Sequence, residues 1–537
     1  MTAHHEQSTA SSPVSTVSAE DARIAPKPRL RRFHQASWDE DLIFDLGSPG
    51  ERGVLVPRPD PSLTPPEIPA ALRRAEPPAL PEMAQQQVLR HYLRLSQENL
   101  GADLNIDVGQ GTCTMKYSPK VNDQFVRDPR IAALHPLQDE DTVQGVLGIV
   151  HALEQLLKEI SGMDRVSLQP GAGSAAIYAN VAMIRAYFEA RGELDQRDEV
   201  ITTIFSHPSN AACAKTAGFK VITLHPDADG YPDIEALKAA VGPRTAALLI
   251  TNPEDTGIYN PRIEEFVRIV HEAGGLCSYD QANANGILGI TRARDAGFDL
   301  CHFNLHKTFS TPHACGGPAA GACAVTAELA PYLPRPTVEF DGTTYRIDDD
   351  RPESVGKMRP FLGVVPNLVR AYAWIMSLGA EGLRAAAETA VLNNNYLLHK
   401  VRQIPGVSVP YAEGRPRVEQ VRYSWQQLYE DTGVHSEELG LRAADFGTHY
   451  WTSHHPYVVP EPMTLEPTES YTRADLDEYA AILTEVAREA YESPETVRTA
   501  PHRSTVHRAR PESLEDPATW AVSWRAYRRK ILGEGLR

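Results

Sequence analysis

The sequence predicts an α/β fold: a large domain on a mainly parallel sheet with helices on both faces, followed by a smaller C-terminal α+β domain. Three observations lead there. Short apolar runs alternate with helical stretches from residue 165 to residue 307, the order that builds parallel sheets. Helix-forming sequence takes over near residue 366 and gives way to short extended pieces. The 537 residues, 42% hydrophobic and 23% charged, have an ordinary globular composition and enough length for more than one core.

Residues 1–37 are polar and rich in serine and proline, and are expected to be disordered. They lack an apolar stretch of the kind a secretory signal needs, and the arginines of "KPRLRRF" lie among acidic residues. Residues 38–85 contain "LVPRPDPSLTPPEIPAALRRAEPPALPE", a proline density that no helix or central strand survives. This segment reads as a linker or as an extended arm. Its apolar residues Leu55, Val56, Ile68, Leu72 and Leu80 favour an arm lying across another surface.

The large domain is expected over residues 86–365, with 86–145 contributing N-terminal helices and an active-site loop. "PEMAQQQVLRHYLRLSQEN" is helical, and "VQGVLGIVHALEQLLKEISGM" is a strongly amphipathic helix. Then "RVSLQP" leads into "GAGSAAIYANVAMIRAYFEARG", "DEVITTIF" into "SNAACAKTAG", "KVITLH" into "DIEALKAAVG", and "TAALLITNP" into "RIEEFVRIVHEAG". The runs "LCSYDQ" and "LCHFNLH" complete the series. The small domain is expected over 366–492, opening on a long helical stretch and closing on "RADLDEYAAILTEVAREAYE", and 493–537 is a polar tail with helical patches. No internal repeat is visible.

A net charge of −17 argues against nucleic acid or an anionic membrane surface as a partner. No uncharged run is long enough to span a bilayer. The six cysteines, at 113, 213, 277, 301, 315 and 323, form no CxxC pair; four of them lie in apolar or small-residue settings typical of reduced structural thiols, and a cytoplasmic location is expected.

Four features fall at the C-terminal ends of expected strands, where open α/β sheets place ligands. In "QPGAGSAA", Gly171 and Gly173 allow a sharp turn and Ser174 opens a helix. Such a turn is often only a turn, but its free amides suit a phosphate. His207 in "IFSHPSN" is either a satisfied loop histidine or a flat ring placed against a flat cofactor. Asp280 in "LCSYDQANANG" follows an apolar run, so its carboxylate needs a cationic partner, and a protonated pyridinium nitrogen is one. Lys307 in "FNLHKTFSTPH" is either a solvated lysine past a strand end or an amine that holds an aldehyde as a Schiff base. Phosphate cradle, histidine, aspartate and lysine in that chain order match the fold-type-I pyridoxal 5'-phosphate enzymes. The combination is far more specific than any one part.

"NLHKTFSTPH" closely resembles the cofactor-lysine motif of the glycine cleavage system P-protein family, the decarboxylating glycine dehydrogenases. "GTCTMKYSPK" (111–120), "LHPLQDEDTVQG" (134–145), "AALLITNP" (246–253), "YDQANANGILG" (279–289), "RPESVGKMRP" (351–360), "LNNNYLL" (392–398) and "LEPTES" (465–470) extend the resemblance over about residues 40–505. It is greatest to the catalytic subunit of the two-subunit form. The resemblance implies a fold-type-I transferase that decarboxylates glycine through a Cα carbanion and passes the aminomethyl group to a lipoyl carrier protein. It implies Lys307 as the Schiff-base residue, Asp280 as partner of the ring nitrogen, and His207 as the stacking ring. Gly171, Ala172, Gly173 and Ser174 then take the phosphate, and His306 and Thr308 flank the imine. Cys113, Thr114, Lys116, Asn283 and His313 line the substrate side, Asn283 also touching the cofactor. It further implies at least a dimer, either of this chain or with a related subunit.

Some pocket motifs depart from the family pattern. "HACGGPAAGA" interrupts a glycine run, "GSAAIYA" and "PSNA" follow the phosphate loop and the stacking histidine, and Gln281 replaces a glycine beside Asp280. A second reading is therefore a specialised biosynthetic enzyme using the same carbanion with another substrate or acceptor. A third is a non-catalytic partner subunit, which the joint retention of Lys307, Asp280 and His207 disfavours.

Overall fold

The structure, a computed structural model, describes residues 30–533 other than 59, 63–67, 77, 79, 102, 103, 107, 110–115, 136, 137, 313–318, 451–457, 506, 507, 509–515, 517–519 and 531. The disorder expected of residues 1–37 concerns, over 1–29, residues outside this set. Residues 30–37 are not loose: Leu30 packs on a hydrophobic core, Arg31 pairs with Glu478 at 2.8 Å, and the Gln35 amide donates to the Arg503 carbonyl.

Seven strands form the central sheet: β1 (Arg165–Ser167), β2 (Glu199–Thr203), β3 (Lys220–Leu224), β4 (Thr245–Thr251), β5 (Leu276–Gln281), β6 (Leu300–Asn304) and β7 (Gly321–Val325). Their spatial order is β1-β7-β6-β5-β4-β2-β3. β3, β2, β4, β5 and β6 run parallel, whereas β7 is antiparallel to both β6 and β1. The sheet is thus mainly parallel, as the alternating pattern predicts. β7 is the strand the sequence does not announce, because "GACAV" consists mostly of small residues of weak β-propensity.

Both faces of the sheet are covered, which is why its strands read as continuous apolar runs. Side chains alternate between two cores at period two. Leu248 and Ile250 of β4 join the cluster formed with Leu147, Leu153 and Leu157 of the helix Gln144–Ser161. Ala247 and Leu249 join the opposite cluster with Ile177, Ile184 and Phe188 of the helix Gly173–Ala190.

A helical segment, Val365–Val401, carries the chain toward a further core and breaks at Gly379, whose φ of 64° and ψ of −177° leave the helix. Leu368 to Ala387 still pack into the sheet core, and Leu397 is the first helix residue in the C-terminal core. The exchange of cores therefore falls inside this helical segment, later than the boundary expected at 366. The C-terminal core joins the strands Val421–Ser424 and Pro462–Leu465, antiparallel to one another, to the helix Arg473–Glu492. That helix starts at a reciprocal cap: the Asp475 carboxylate accepts from the Thr472 amide at 2.9 Å and the Thr472 hydroxyl accepts from the Asp475 amide at 3.3 Å. Val108, from the N-terminal region, also belongs to this core.

Among its described residues, the proline-rich stretch before the helix Gln85–Gln97 carries only two short 3₁₀ turns, Ile43–Asp45 and Ala70–Leu72. Its root is clipped to the helix Gln85–Gln97, with Glu40 bonded to His91 at 2.8 Å and Trp38 Nε1 donating to Gln97 at 2.9 Å. Phe44 stacks on Trp524 and Met83 is buried, whereas Leu55 and Leu72 stand 77% and 75% exposed.

Candidate active site

Register brings the site together. Thr251, Asp280 and His302 are successive partners across β4, β5 and β6, one row at the C-terminal edge of the sheet. Just past β6, Lys307 sits on a single turn of helix, Leu305–Thr308, and is 5% exposed. A cavity with an empty volume of about 350 Å³ opens there, lined by Phe205, His207, Asp280, Asn283, Lys307 and Gln420 among others.

Asp280 is 3% exposed and well supplied with partners. Its carboxylate accepts from Asn210 Nδ2 at 2.9 Å and from the Ala282 amide at 3.0 Å, and His302 stands 3.2 Å away. Burial by itself would push this carboxyl up, but His302, His207 and the two hydrogen bonds outweigh it and bring it below the ordinary carboxylate range. Burial, with Asp280 opposing and Lys307 assisting, lowers His302.

His207 caps the helix Pro208–Thr216, its Nδ1 accepting from the Ser209 amide at 3.1 Å. That hydrogen bond leaves the Nδ1 nitrogen as the acceptor and the ring at the cavity wall. The helix Gly173–Ala190 begins beside it, and the Ser174 and Ser209 hydroxyls meet at 2.7 Å. Ala172, at the N-cap, offers no side-chain cap to the amides of the first turn. Gly173 is required here, since a Cβ would come within 2.5 Å of the Asn304 amide group.

The remaining expected residues divide. Asn283 lines the cavity and donates to Glu466 at 2.6 Å. Thr308 is fully buried and its hydroxyl accepts from the Ala284 amide at 2.9 Å, which ties the 282–286 loop to the lysine turn. His306 is buried against Ala320, with Nδ1 at 2.8 Å from the carbonyl. Lys116 is not among the cavity-lining residues: it pairs with Glu469 at 2.8 Å and lies 4.4 Å over the Trp374 ring. Cys113, Thr114 and His313 lie outside the described residues.

Several site residues carry no signal read in the sequence. His302 is hidden inside the apolar run of β6. Asn210 stands three positions after His207 on the next helix and reaches Asp280. Asp255, after β4, forms a buried ion pair with Arg422 of the C-terminal strand and thereby joins the two cores at the cavity wall. Glu419 and Glu466 also come from the C-terminal region.

Below the His207 loop, Glu254 is buried, and among the described residues its only side-chain partner is the Thr203 hydroxyl. Burial drives its carboxyl up to about 8, with that hydrogen bond opposing. Between an unfolded value near 4.5 and about 8 the folded chain keeps a proton that the unfolded chain has released. Stability therefore falls as pH rises across that window, by at most roughly 1.4 kcal/mol per unit. Glu254→Gln should accordingly raise the melting temperature more at pH 8 than at pH 5. An equal shift at both values would show that Glu254 is not neutral in the folded protein.

These residues fit pyridoxal phosphate. Uncapped helix amides beside two serine hydroxyls suit a dianionic phosphate, and the absent Cβ of Gly173 keeps the cradle open. An ionised, buried Asp280 needs a cation, and a buried primary amine shares its cavity.

Comparison with known proteins agrees. Residues 173–316 match the aminotransferase class-V family, and residues 386–510 match the glycine dehydrogenase C-terminal domain. A "Probable glycine dehydrogenase (decarboxylating) subunit 2" of Pyrococcus abyssi is 44% identical over 498 residues, covering 92% of this chain and 98% of that protein. The protein of the same name from Halalkalibacterium halodurans is 43% identical over 472 residues, covering 88% and 95%. A crystal structure of glycine decarboxylase (P-protein) of the glycine cleavage system, in inhibitor-bound form, shares the fold with a TM-score of 0.65 at 20% identity, over 78% of this chain and 93% of that one. The architecture is that of a fold-type-I enzyme dependent on pyridoxal phosphate. At this identity, over nearly the full length of its relatives, the chain belongs to the family of glycine dehydrogenase (decarboxylating) subunit 2.

Proposed function

We propose that the protein decarboxylates glycine, or a close amino acid, and delivers the remaining aminomethyl group to a lipoyl carrier protein while assembled with a related subunit. The observation that carries this reading is the shared cavity of Lys307, Asp280 and His207 at one edge of the sheet, in a chain of this family. Pyridoxal phosphate, when bound, supplies an electron sink for the pair left on the α-carbon as carbon dioxide departs.

The chain's own residues would do the rest. Amides of the Gly171–Ser174 turn, with the Ser174 hydroxyl, would bind the phosphate. The Asp280 carboxylate would hold a proton on the ring nitrogen, and Asn210 and the Ala282 amide keep that carboxylate oriented. His207 would lie against the ring. Lys307 Nζ would carry the cofactor and, when released, accept or return a proton. Burial of Lys307 and Asp280 excludes water, which favours loss of a charged carboxylate in a dry site.

Exchange of label between carboxyl-labelled glycine and carbon dioxide tests the proposal. It should be seen with the related subunit and lipoylated carrier present, and it should fall sharply without the carrier. No exchange under either condition, with cofactor bound, would favour the specialised enzyme with another substrate.

The arm enters the same reading. Its exposed Val54, Leu55, Val56, Leu72 and Leu80 suit burial against the related subunit, each worth roughly 1.5–3 kcal/mol when covered. Deleting residues 1–29 should leave assembly and activity unchanged, whereas deleting 1–85 should break the complex. Light scattering on both truncations with the related subunit checks this, and a complex of unchanged size after the longer deletion would refute it.

A further inference from the structure

A second segment of the chain lies on the phosphate turn. After β1 the chain runs through Leu168, Gln169 and Pro170 to Gly171, and residues 359–363 are pinned along this stretch. Gln169, only 1% exposed, holds them with both ends of its amide. Its Nε2 donates to the Phe361 carbonyl at 2.8 Å, and its Oε1 accepts from the Arg359 amide at 3.4 Å. Gly363 packs so closely that a Cβ there would lie 2.5 Å from the Leu168 carbonyl oxygen. Phe361 takes a φ of 61°, a conformation that a bulky residue keeps only where its surroundings impose it.

The pinning delivers one side chain to the turn. The Arg359 guanidinium lies directly over Gly171, where a Cβ would come within 2.5 Å of Cζ and 2.6 Å of Nη2. Only a glycine lets a guanidinium approach the main chain of the turn this closely. Among the described residues, no carboxylate or other acceptor engages that guanidinium. Two other cations of the same stretch are already taken: Lys357 pairs with Asp349 at 2.9 Å and Arg351 with Asp348 at 3.2 Å. The turn itself offers dipoles, namely the amides after Ala172 and the hydroxyls of Ser174 and Ser209. A dianionic phosphate binds such a site more strongly when a full positive charge joins it, and a guanidinium brings that charge on paired N–H donors.

We propose that Arg359 is a phosphate-binding residue of this site: its guanidinium, seated on Gly171, pairs with the phosphate of the cofactor, and Gln169 positions the segment that carries it. The inference rests on the proposed seat of the phosphate at the Gly171–Ser174 turn.

The test compares binding of pyridoxal phosphate with binding of pyridoxal, which lacks the phosphate, by the full chain of wild type, R359A, R359Q and S174A. Visible absorbance and calorimetry give the dissociation constants, and neither needs turnover. R359A should bind pyridoxal phosphate roughly 10–100-fold more weakly, the loss expected for one hydrogen-bonded contact to a charged group. It should bind pyridoxal as wild type does. R359Q, polar but uncharged, should lose as much as R359A, and it decides the matter if R359A fails to fold. An equal loss for both ligands would show that Arg359 only shapes the turn, and undiminished binding of pyridoxal phosphate would show that it takes no part. Either result overturns the proposal, as would R359Q binding like wild type. S174A reports on the seat separately. A phosphate-dependent loss in S174A with none in the Arg359 variants leaves the seat standing and refutes the role of Arg359. A loss in the Arg359 variants with none in S174A moves the phosphate away from Ser174, while Arg359 keeps its role.

Discussion

Lys307→Ala should leave a folded protein without the visible absorbance of bound cofactor and with turnover reduced on the order of 10⁴-fold or more. The side chain is buried beside Asp280 and His207, so no solvent amine can take its place in the chain. Lys307→Arg separates the two things a lysine offers. It keeps the positive charge but cannot form an imine, and it should be as inactive as the alanine variant. Circular dichroism and melting curves report folding, while absorbance and carbon dioxide release report chemistry. A folded, active Lys307→Ala enzyme would remove the basis of the proposed reaction.

Asp280→Asn should bind cofactor more weakly and lower turnover by roughly 10²–10³-fold. Removing one partner of a buried ionic contact costs about 3–5 kcal/mol, and each 1.4 kcal/mol is about tenfold in rate. The amide also creates a local conflict, because Asn210 Nδ2 and the Ala282 amide both donate toward position 280 and half of the new group is itself a donor. The pH dependence carries the sign. The Asp280 carboxyl lies below its ordinary range, so its contribution is complete above that range and is lost only as pH falls through the lowered folded value. Wild type should therefore keep its cofactor affinity into mild acid, whereas Asp280→Asn should be weak at every pH. Cofactor titration by absorbance at several pH values measures both, and an Asn variant of wild-type affinity and rate would exclude Asp280 as the ring partner.

How far the site could be read from the chain depended on where each residue stands relative to its strand. Gly173, His207, Asp280 and Lys307 follow apolar runs, and a parallel sheet puts the ends of such runs on one edge, so local sequence suffices to gather them. His302 lies within a run rather than after it. Its meeting with Asp280 follows from the pairing register of β5 and β6, which the residues themselves do not specify when both faces are buried. β7 escaped for a related reason: a buried strand of Gly, Ala and Cys that ends in a single β-branched residue, Val325, offers no alternation. Glu466 meets Asn283, and Asp255 meets Arg422, across long separations in the chain, and no local pattern announces such contacts. Lys116 is the opposite case. Motif resemblance points it at the substrate, whereas the structure places it against Glu469 and Trp374, where loop and C-terminal core are joined.

The most direct test of the account is to reduce the holoenzyme with borohydride, digest it and locate the cofactor by peptide mass. The account predicts one modified peptide, containing "FNLHKTFSTPH" with the adduct on Lys307. An adduct on Lys116 or any other lysine, with Lys307 unmodified, would contradict it.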